Sequence, residues 1–277
     1  KEVEDHLDFP KRTIKNPIGN LALQLSREQF SKLRDHQQEG VLNALRRFED
    51  IEFDPDGGYK AIGYILAHQM GLGKTLSAFT IAQAFHNFNN TCKTLLIAPK
   101  NVLLNWRKEL YEWSHLCLPF TLLTSSSEAR TSLKIWNATG GILSISYELF
   151  AKLSNEGLVF PEYDLLMMDE AHKVANAATK ISQEIRKQNS PFRLGLTGTP
   201  FGNNISQFMH IIDTVEPGFL KARGFTTSSS FDVRFMSTIL HGQTRDAAPE
   251  AITAMKQHIK VLLDHINVIM HKQTRSV

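Results

Sequence analysis

The chain holds 277 residues, of which 42% are hydrophobic, 21% charged and 9% aromatic. That is apolar material enough for one large domain or two small ones, and it excludes a disordered, collagen-like or disulfide-scaffold protein. Lys and Arg number 31 against 28 Asp and Glu, a net charge of +3, so contact with a polyanion must come from a local patch.

Cys92 and Cys117 stand far apart with no ligand partners at metal spacing, and read as reduced packing cysteines of an intracellular protein. No apolar run approaches the ~18 residues of a membrane helix, and no signal peptide opens the chain, so no membrane partner is expected. The first residue is Lys1 rather than Met, which reads as a piece of something longer.

Residues Lys1–Leu25, with Pro10 and Pro17, lack periodicity and read as a tether; the tether is taken to extend over residues 1–32. The first clear helix is expected near Asp35. Asp35 and Gln38 form a capping-box pattern there, and Val41, Leu42, Leu45 and Phe48 share a face. A turn-rich break follows at Asp54-Pro55-Asp56-Gly57-Gly58. Apolar runs suited to buried parallel strands then recur at Ile62–Leu66, Thr94–Ala98, Phe120–Leu123, Ile142–Ile145, Leu165–Met168 and Arg193–Leu196. Helical patterns such as Asn101–Trp113 and Ile181–Lys187 lie between them. Alternation of this kind predicts a doubly wound α/β domain with a parallel sheet. Beyond Val215 the texture changes to a Ser/Thr-rich loop at Gly224–Ser230. An amphipathic stripe follows, Ile252, Met255, Ile259, Leu262, Ile266 and Ile269, which predicts a docked helix.

Three loops at strand ends carry chemistry. Ile62–Leu66 runs into Ala67-His68-Gln69-Met70-Gly71-Leu72-Gly73-Lys74-Thr75 and then a helical stretch. Backbone N–H groups at a helix start suit a dense phosphate anion, and Gly71 and Gly73 let the backbone turn close to it. Lys74 is placed for the β- and γ-phosphates, and the Thr75 hydroxyl for Mg²⁺. His68 stands where the strict phosphate-loop pattern has glycine. The second loop, Asp169-Glu170-Ala171-His172, closes the apolar strand Leu165–Met168. Ligands of open α/β sheets bind at such carboxyl ends, so Asp169 is read as an Mg²⁺ acid and Glu170 as the residue that orients or deprotonates water. The third is Leu196-Thr197-Gly198-Thr199-Pro200, whose hydroxyls suit a hydrogen-bonding connector.

Taken together, these residues resemble the helicase-like ATPases of superfamily two, and within them the Swi/Snf-type chromatin remodellers and translocases. Leu33–Val41 looks like the adenine-recognising motif, which makes Gln37 the adenine contact. Met70–Thr75 is similar to motif I, Asp169–His172 to motif II, and Leu196–Pro200 with Asn203 and Asn204 to motif III. Ala98-Pro99-Lys100, continuing to Asn105, Trp106 and Glu109, looks like motif Ia, and Ser146-Tyr147-Glu148 resembles the next DNA-facing motif. His68 and the stretch from Arg234 to Asp246 are similar to the ATRX-like branch. His36 and Gln69 depart from the family's usual residues.

The resemblance implies a RecA-like lobe at residues 33–216 and a helical protrusion at 217–277. A second RecA-like lobe, with the arginine fingers, is absent from this sequence. ATP and Mg²⁺ are the implied cofactors; Lys74, Asp169 and Glu170 are the implied catalytic residues, and His172, Thr197 and Thr199 the implied coupling residues. Duplex DNA, bare or in nucleosomes, is the implied partner, with Lys100, Asn101 and Ser146 as contacts to its backbone. A nuclear address follows from the same likeness. Two other readings stay open: the lobe of a DEAH-type RNA helicase, and a nucleotide-binding scaffold without turnover.

Overall fold

A computed structural model describes residues 21–51, 60–113, 115–198, 205–223 and 248–274, together with Thr238 and Gly242. Its centre is a sheet of seven strands in the order β3-β4-β2-β5-β6-β1-β7. These are β1 (Ile62–His68), β2 (Lys93–Ala98), β3 (Phe120–Leu123), β4 (Gly141–Ser146), β5 (Leu165–Met168), β6 (Phe192–Leu196) and β7 (Met270–Gln273). Every pairing is parallel. The helices are α1 (Arg27–Ser31), α2 (Asp35–Glu49), α3 (Lys74–Phe88), α4 (Leu103–Glu112), α5 (Ala129–Thr139), α6 (Tyr147–Asn155), α7 (Lys180–Arg186), α8 (Ile205–Val215), α9 (Phe219–Ala222) and α10 (Pro249–Ile266).

Because successive strand residues point to opposite faces, each strand feeds two cores. On one face Tyr64, Leu66, Leu96 and Leu194 meet Val41, Leu45 and Phe48 of α2, Phe79 and Phe85 of α3, and Trp106 and Leu110 of α4. On the other, Ile65, Leu95, Leu143 and Leu166 meet Leu133 and Trp136 of α5, Phe150 of α6, Ile212 of α8, and Leu262 and Ile266 of α10. Strands covered on both sides read as unbroken apolar runs, which is why six of the seven were visible in the sequence. Full burial of such a side chain contributes roughly 1.5–3 kcal/mol.

Two expectations are corrected. Helix α2 starts as anticipated, but its cap is Arg34 rather than Asp35: the Gln37 Oε1 atom accepts from the Arg34 amide at 2.8 Å. The C-terminal stripe also does not end in helix. α10 stops at Ile266, and the chain re-enters the sheet as β7 beside β1, with Leu66 in register with His271. β7 was invisible because Met270-His271-Lys272-Gln273 is short, polar and half-exposed.

The amino end of the sheet is pinned by buried charge. Glu216 accepts from the Gly63 amide at 2.9 Å and takes both oxygens to Arg47 Nη2 at 2.9 and 3.0 Å. Gly63 is required there, since a Cβ would lie 2.5 Å from the Val215 carbonyl oxygen. Asp164 accepts from the Lys93 amide at 2.8 Å, tying β2 to the residue before β5. Arg193 of β6 donates to the Thr214 carbonyl at 2.8 Å.

Candidate nucleotide-binding site

At the opposite end of the sheet, β1, β6 and β5 lie side by side, so the three loops singled out in the sequence emerge next to one another. The phosphate loop leaves β1, turns at Gly71 (φ 83°) and enters α3 through Gly73 (φ 76°), a left-handed conformation at its N-cap. First-turn amides of a helix have no intrahelical acceptor, and here they stand beside Lys74. Lys74 Nζ donates to the His68 carbonyl at 2.8 Å, inside the loop. Burial holds its pKa below the ordinary lysine value, and the nearby carboxylates Glu170 and Asp169 oppose that shift.

Two residues of α2 fasten the loop. Gln37 Nε2 donates to the Gly73 carbonyl at 3.0 Å, and a Cβ on Gly73 would fall 2.2 Å from that nitrogen. His36 Nε2 lies 3.0 Å from the Leu72 carbonyl. Gln37 is buried, and its amide is turned onto backbone at both ends.

Asp169 follows β5 directly, its amide held by the Ile97 carbonyl at 2.9 Å. Its Oδ1 accepts from the Glu170 amide and its Oδ2 from the Trp106 indole, each at 2.9 Å. Burial raises the carboxyl pKa, the Trp106 hydrogen bond lowers it, and Glu170 raises it again. Glu170 is the one described non-glycine residue with positive φ, 50°. A left-handed L-residue costs roughly 1–2 kcal/mol, a strain that concentrates at functional sites. His172 Nδ1 sits 3.2 Å from Glu170 Oε2. Beneath them the fully buried Tyr147 donates its hydroxyl to the Asp169 carbonyl at 2.7 Å.

Thr197 is buried at the end of β6, its amide bonded to the Leu66 carbonyl at 3.1 Å. Gly198 leans over the phosphate loop, where an added Cβ would lie 3.7 Å from Lys74 Nζ. Thr199, together with Asn203 and Asn204, lies outside the described residues. Of the residues expected to meet DNA, Lys100 and Asn101 are exposed on the 3₁₀ turn that leads into α4. Ser146 is buried, and its hydroxyl oxygen caps α6 by accepting from the Leu149 amide at 3.2 Å. It lines the same 370 Å³ cavity as Lys100, with Leu103, Leu122 and Leu149.

Sequence reasoning missed how the strand ends are braced. The Glu109 carboxylate of α4 faces the Thr75 hydroxyl, with its own pKa raised by burial. His68 is fully buried, its Nε2 2.8 Å from Nδ1 of His271 on β7, whose Nε2 is 3.5 Å from Glu39. His68 stays neutral: burial first, then the neighbours His271, His36 and Lys74, push its pKa down to about 3. These partners are far apart in sequence, so no local pattern marks them. For Trp106 and Glu109 the usable signal was their i,i+3 spacing on one helix face.

The donor set fits Mg²⁺. A hydroxyl and a carboxylate are the hard oxygen ligands that this ion takes alongside water and phosphate oxygens. The glycine-turned loop with Lys74 fits a polyphosphate.

A profile of the SNF2-related domain matches residues 24–276. The chain belongs to that family. Among its SNF2-type relatives is the transcriptional regulator ATRX homolog of Caenorhabditis elegans, 30% identical over 84% of this chain and 20% of the relative. Protein CHROMATIN REMODELING 20 of Arabidopsis thaliana is 29% identical over 94% of this chain and 19% of its own length. The SWI2/SNF2 ATPase core domain of Sulfolobus solfataricus superposes with a TM-score of 0.65 at 25% identity, covering 88% of this chain and 44% of that one. The chain thus spans about a fifth of these curated relatives and less than half of the solved ATPase core. The SNF2 family and the RecA-like α/β fold are therefore established, and the ATRX-like branch read from His68 agrees with the worm relative.

Proposed function

We propose that this chain is the ATP-binding lobe of a duplex-DNA-stimulated ATPase that moves along DNA, of the chromatin-remodelling or DNA-repair type. The observation that carries the reading is the convergence of Lys74, Asp169, Glu170 and Thr197 at three adjacent strand ends in an SNF2-related chain. A SWI2/SNF2 ATPase core of Sulfolobus solfataricus that shares the fold has been solved in complex with dsDNA, which makes duplex DNA the partner to test.

In this reading Lys74 exchanges the His68 carbonyl for the β- and γ-phosphates, and the α3 amides hold the phosphate oxygens. Gln37 contacts adenine while its amide fastens the loop, so base recognition and loop shape are joined in one side chain. Thr75 and Asp169 hold Mg²⁺, which when bound neutralises the charge developing on the phosphates. Glu170, aimed by its left-handed backbone, orients or deprotonates the attacking water. His172, Thr197 and Thr199 relay the state of the site, and Lys100, Asn101 and Ser146 meet the DNA backbone, a sequence-independent contact that weakens with salt.

The arginine fingers belong to a second RecA-like lobe beyond these residues, and such groups are worth ~10³–10⁵ in rate in related phosphoryl transfer. The 277-residue chain alone therefore binds MgATP weakly and turns it over very slowly. A nuclear address is part of the same proposal, in line with the chromatin-remodelling relatives. None of the described helices is long and apolar enough to cross a membrane.

The test is steady-state ATP hydrolysis by a form that carries both lobes, with no nucleic acid, duplex DNA, single-stranded DNA or duplex RNA, and Glu170→Gln as control. Strong stimulation by duplex DNA, lost in the control, is the expected result. Stimulation by RNA alone points to the RNA-helicase alternative, and no turnover under any condition to the scaffold. Robust DNA-stimulated turnover by the 277-residue chain alone contradicts the two-lobe requirement.

A further inference from the structure

Helix α4 touches both candidate Mg²⁺ ligands at once. Trp106, almost wholly buried, donates its indole N–H to Asp169 Oδ2 at 2.9 Å. One turn further on, the Glu109 carboxylate faces the Thr75 hydroxyl, a contact that lowers its pKa against the effect of burial. Residues three apart share a helix face, so the two contacts move as one body. The Trp106 ring also packs edge-on against Phe79 of α3, with centroids 5.0 Å apart, which ties α4 to the helix that begins at the phosphate loop.

The direction of these bonds decides what they do. A hydroxyl has one hydrogen and two lone pairs; with its hydrogen given to Glu109, Thr75 is left with lone pairs to offer a cation. Asp169 has one oxygen fixed by the Glu170 amide and the other by the indole, so its carboxylate plane is held from two sides. Neither contact consumes the ligand's capacity to bind. Both restrict its orientation, in the way that outer partners commonly tune a metal site.

The same helix is continuous at its start with the turn that presents Lys100 and Asn101 to solvent. We infer that Trp106 and Glu109 are positioning residues, through which α4 transmits contact of DNA at Lys100–Asn101 to the orientation of Asp169 and Thr75. The inference deepens the reading proposed above and rests on it. Coupling of this kind is reciprocal: whatever factor DNA contributes to MgATP affinity, MgATP contributes to DNA affinity.

The experiment follows binding, not turnover. A fluorescent ATP analogue is titrated onto the chain across a range of Mg²⁺ concentrations and in excess EDTA, with and without a short duplex DNA. Glu109→Ala is expected to raise the Mg²⁺ midpoint about tenfold, the scale on which loss of an outer partner usually acts, without changing affinity in EDTA. Glu109→Gln, whose amide oxygen still accepts from Thr75, restores most of it. Trp106→Phe keeps a ring against Phe79 but loses the indole donor, and shows the same rise.

In the wild-type chain, duplex DNA without nucleotide is expected to shift the Trp106 indole N–H resonance, and Lys100→Ala abolishes the shift. An unchanged Mg²⁺ midpoint in both Glu109→Ala and Trp106→Phe overturns the inference, as does an unmoved indole resonance in a chain that binds DNA. A wild-type chain that binds neither ATP nor DNA instead overturns the reading on which the inference rests.

Discussion

The two ends of the same sheet are built to different rules. At the amino ends, Glu216 closes on Arg47 and the Gly63 amide, and Asp164 on the Lys93 amide, so charge that enters the interior is answered by a fixed partner. At the carboxyl ends, the half-buried Lys74 is turned onto a backbone carbonyl, Asp169 has its pKa raised by burial, and Glu170 holds a left-handed backbone. The first arrangement makes the fold cohere. In the proposed reading, the second leaves partly buried charge and strain in place for an anionic ligand and its cation to complete, the familiar opposition of stability and function. Substitutions at the two ends should accordingly have opposite effects.

The largest effect is expected at the site. In a form that carries both lobes, Glu170→Gln should lower the rate of ATP hydrolysis by about 10²–10⁴, the range for losing a positioned general base, while ATP binding persists. Single-turnover kinetics separates the two. At the amino end, Glu216→Ala removes the acceptor shared by the partly buried Arg47 and the Gly63 amide and should cost about 2 kcal/mol of stability, read from the denaturant midpoint. Nucleotide affinity of the molecules that remain folded should not change. A loss of affinity without a loss of stability would reverse the roles of the two ends.

The histidine pair between β1 and β7 supplies a pH test. His68 has a folded-state pKa near 3, below the ordinary 6.5, so between those values the unfolded chain binds the extra proton. Its contribution to stability is present above pH 6.5 and is lost as pH falls through that window, at up to about 1.4 kcal/mol per pH unit. His271, also lowered by burial, adds to the same slope. Chemical denaturation at several pH values, with His68→Gln flattening the dependence, checks this.

The smallest effect has the most telling sign. Lys74→Met removes a desolvated cation and should raise stability by about 1 kcal/mol while abolishing ATP binding, as substitutions that relieve a functional site commonly do. Destabilisation by this change would remove the contrast on which the comparison stands.

Much of the carboxyl end was legible from the sequence because its signals are contiguous. Lys74 and Thr75 follow one apolar strand, Asp169 and Glu170 another, and Thr197 a third, so strand pattern and motif reinforced each other. What stayed hidden depends on contacts across the fold. His271 reaches His68 from a four-residue strand that carries no apolar run, and Glu109 and Trp106 act through α4 on residues of other elements. The start of α2 was read correctly but its cap was misplaced by one residue, because Asp35 looks like a cap in isolation whereas the Gln37 side-chain oxygen selects Arg34. Ser146 illustrates a different limit: its place beside a DNA-facing motif was readable, but its use as the cap of α6 was not.

The measurement that bears most directly on the account is calorimetric titration of MgATP into the 277-residue chain, wild type against Lys74→Met and Glu170→Gln. One-to-one binding by the wild type and Glu170→Gln, absent in Lys74→Met, is the predicted result. Equal binding by Lys74→Met, or none by a folded wild-type chain, would contradict the assignment of the carboxyl end as the nucleotide site.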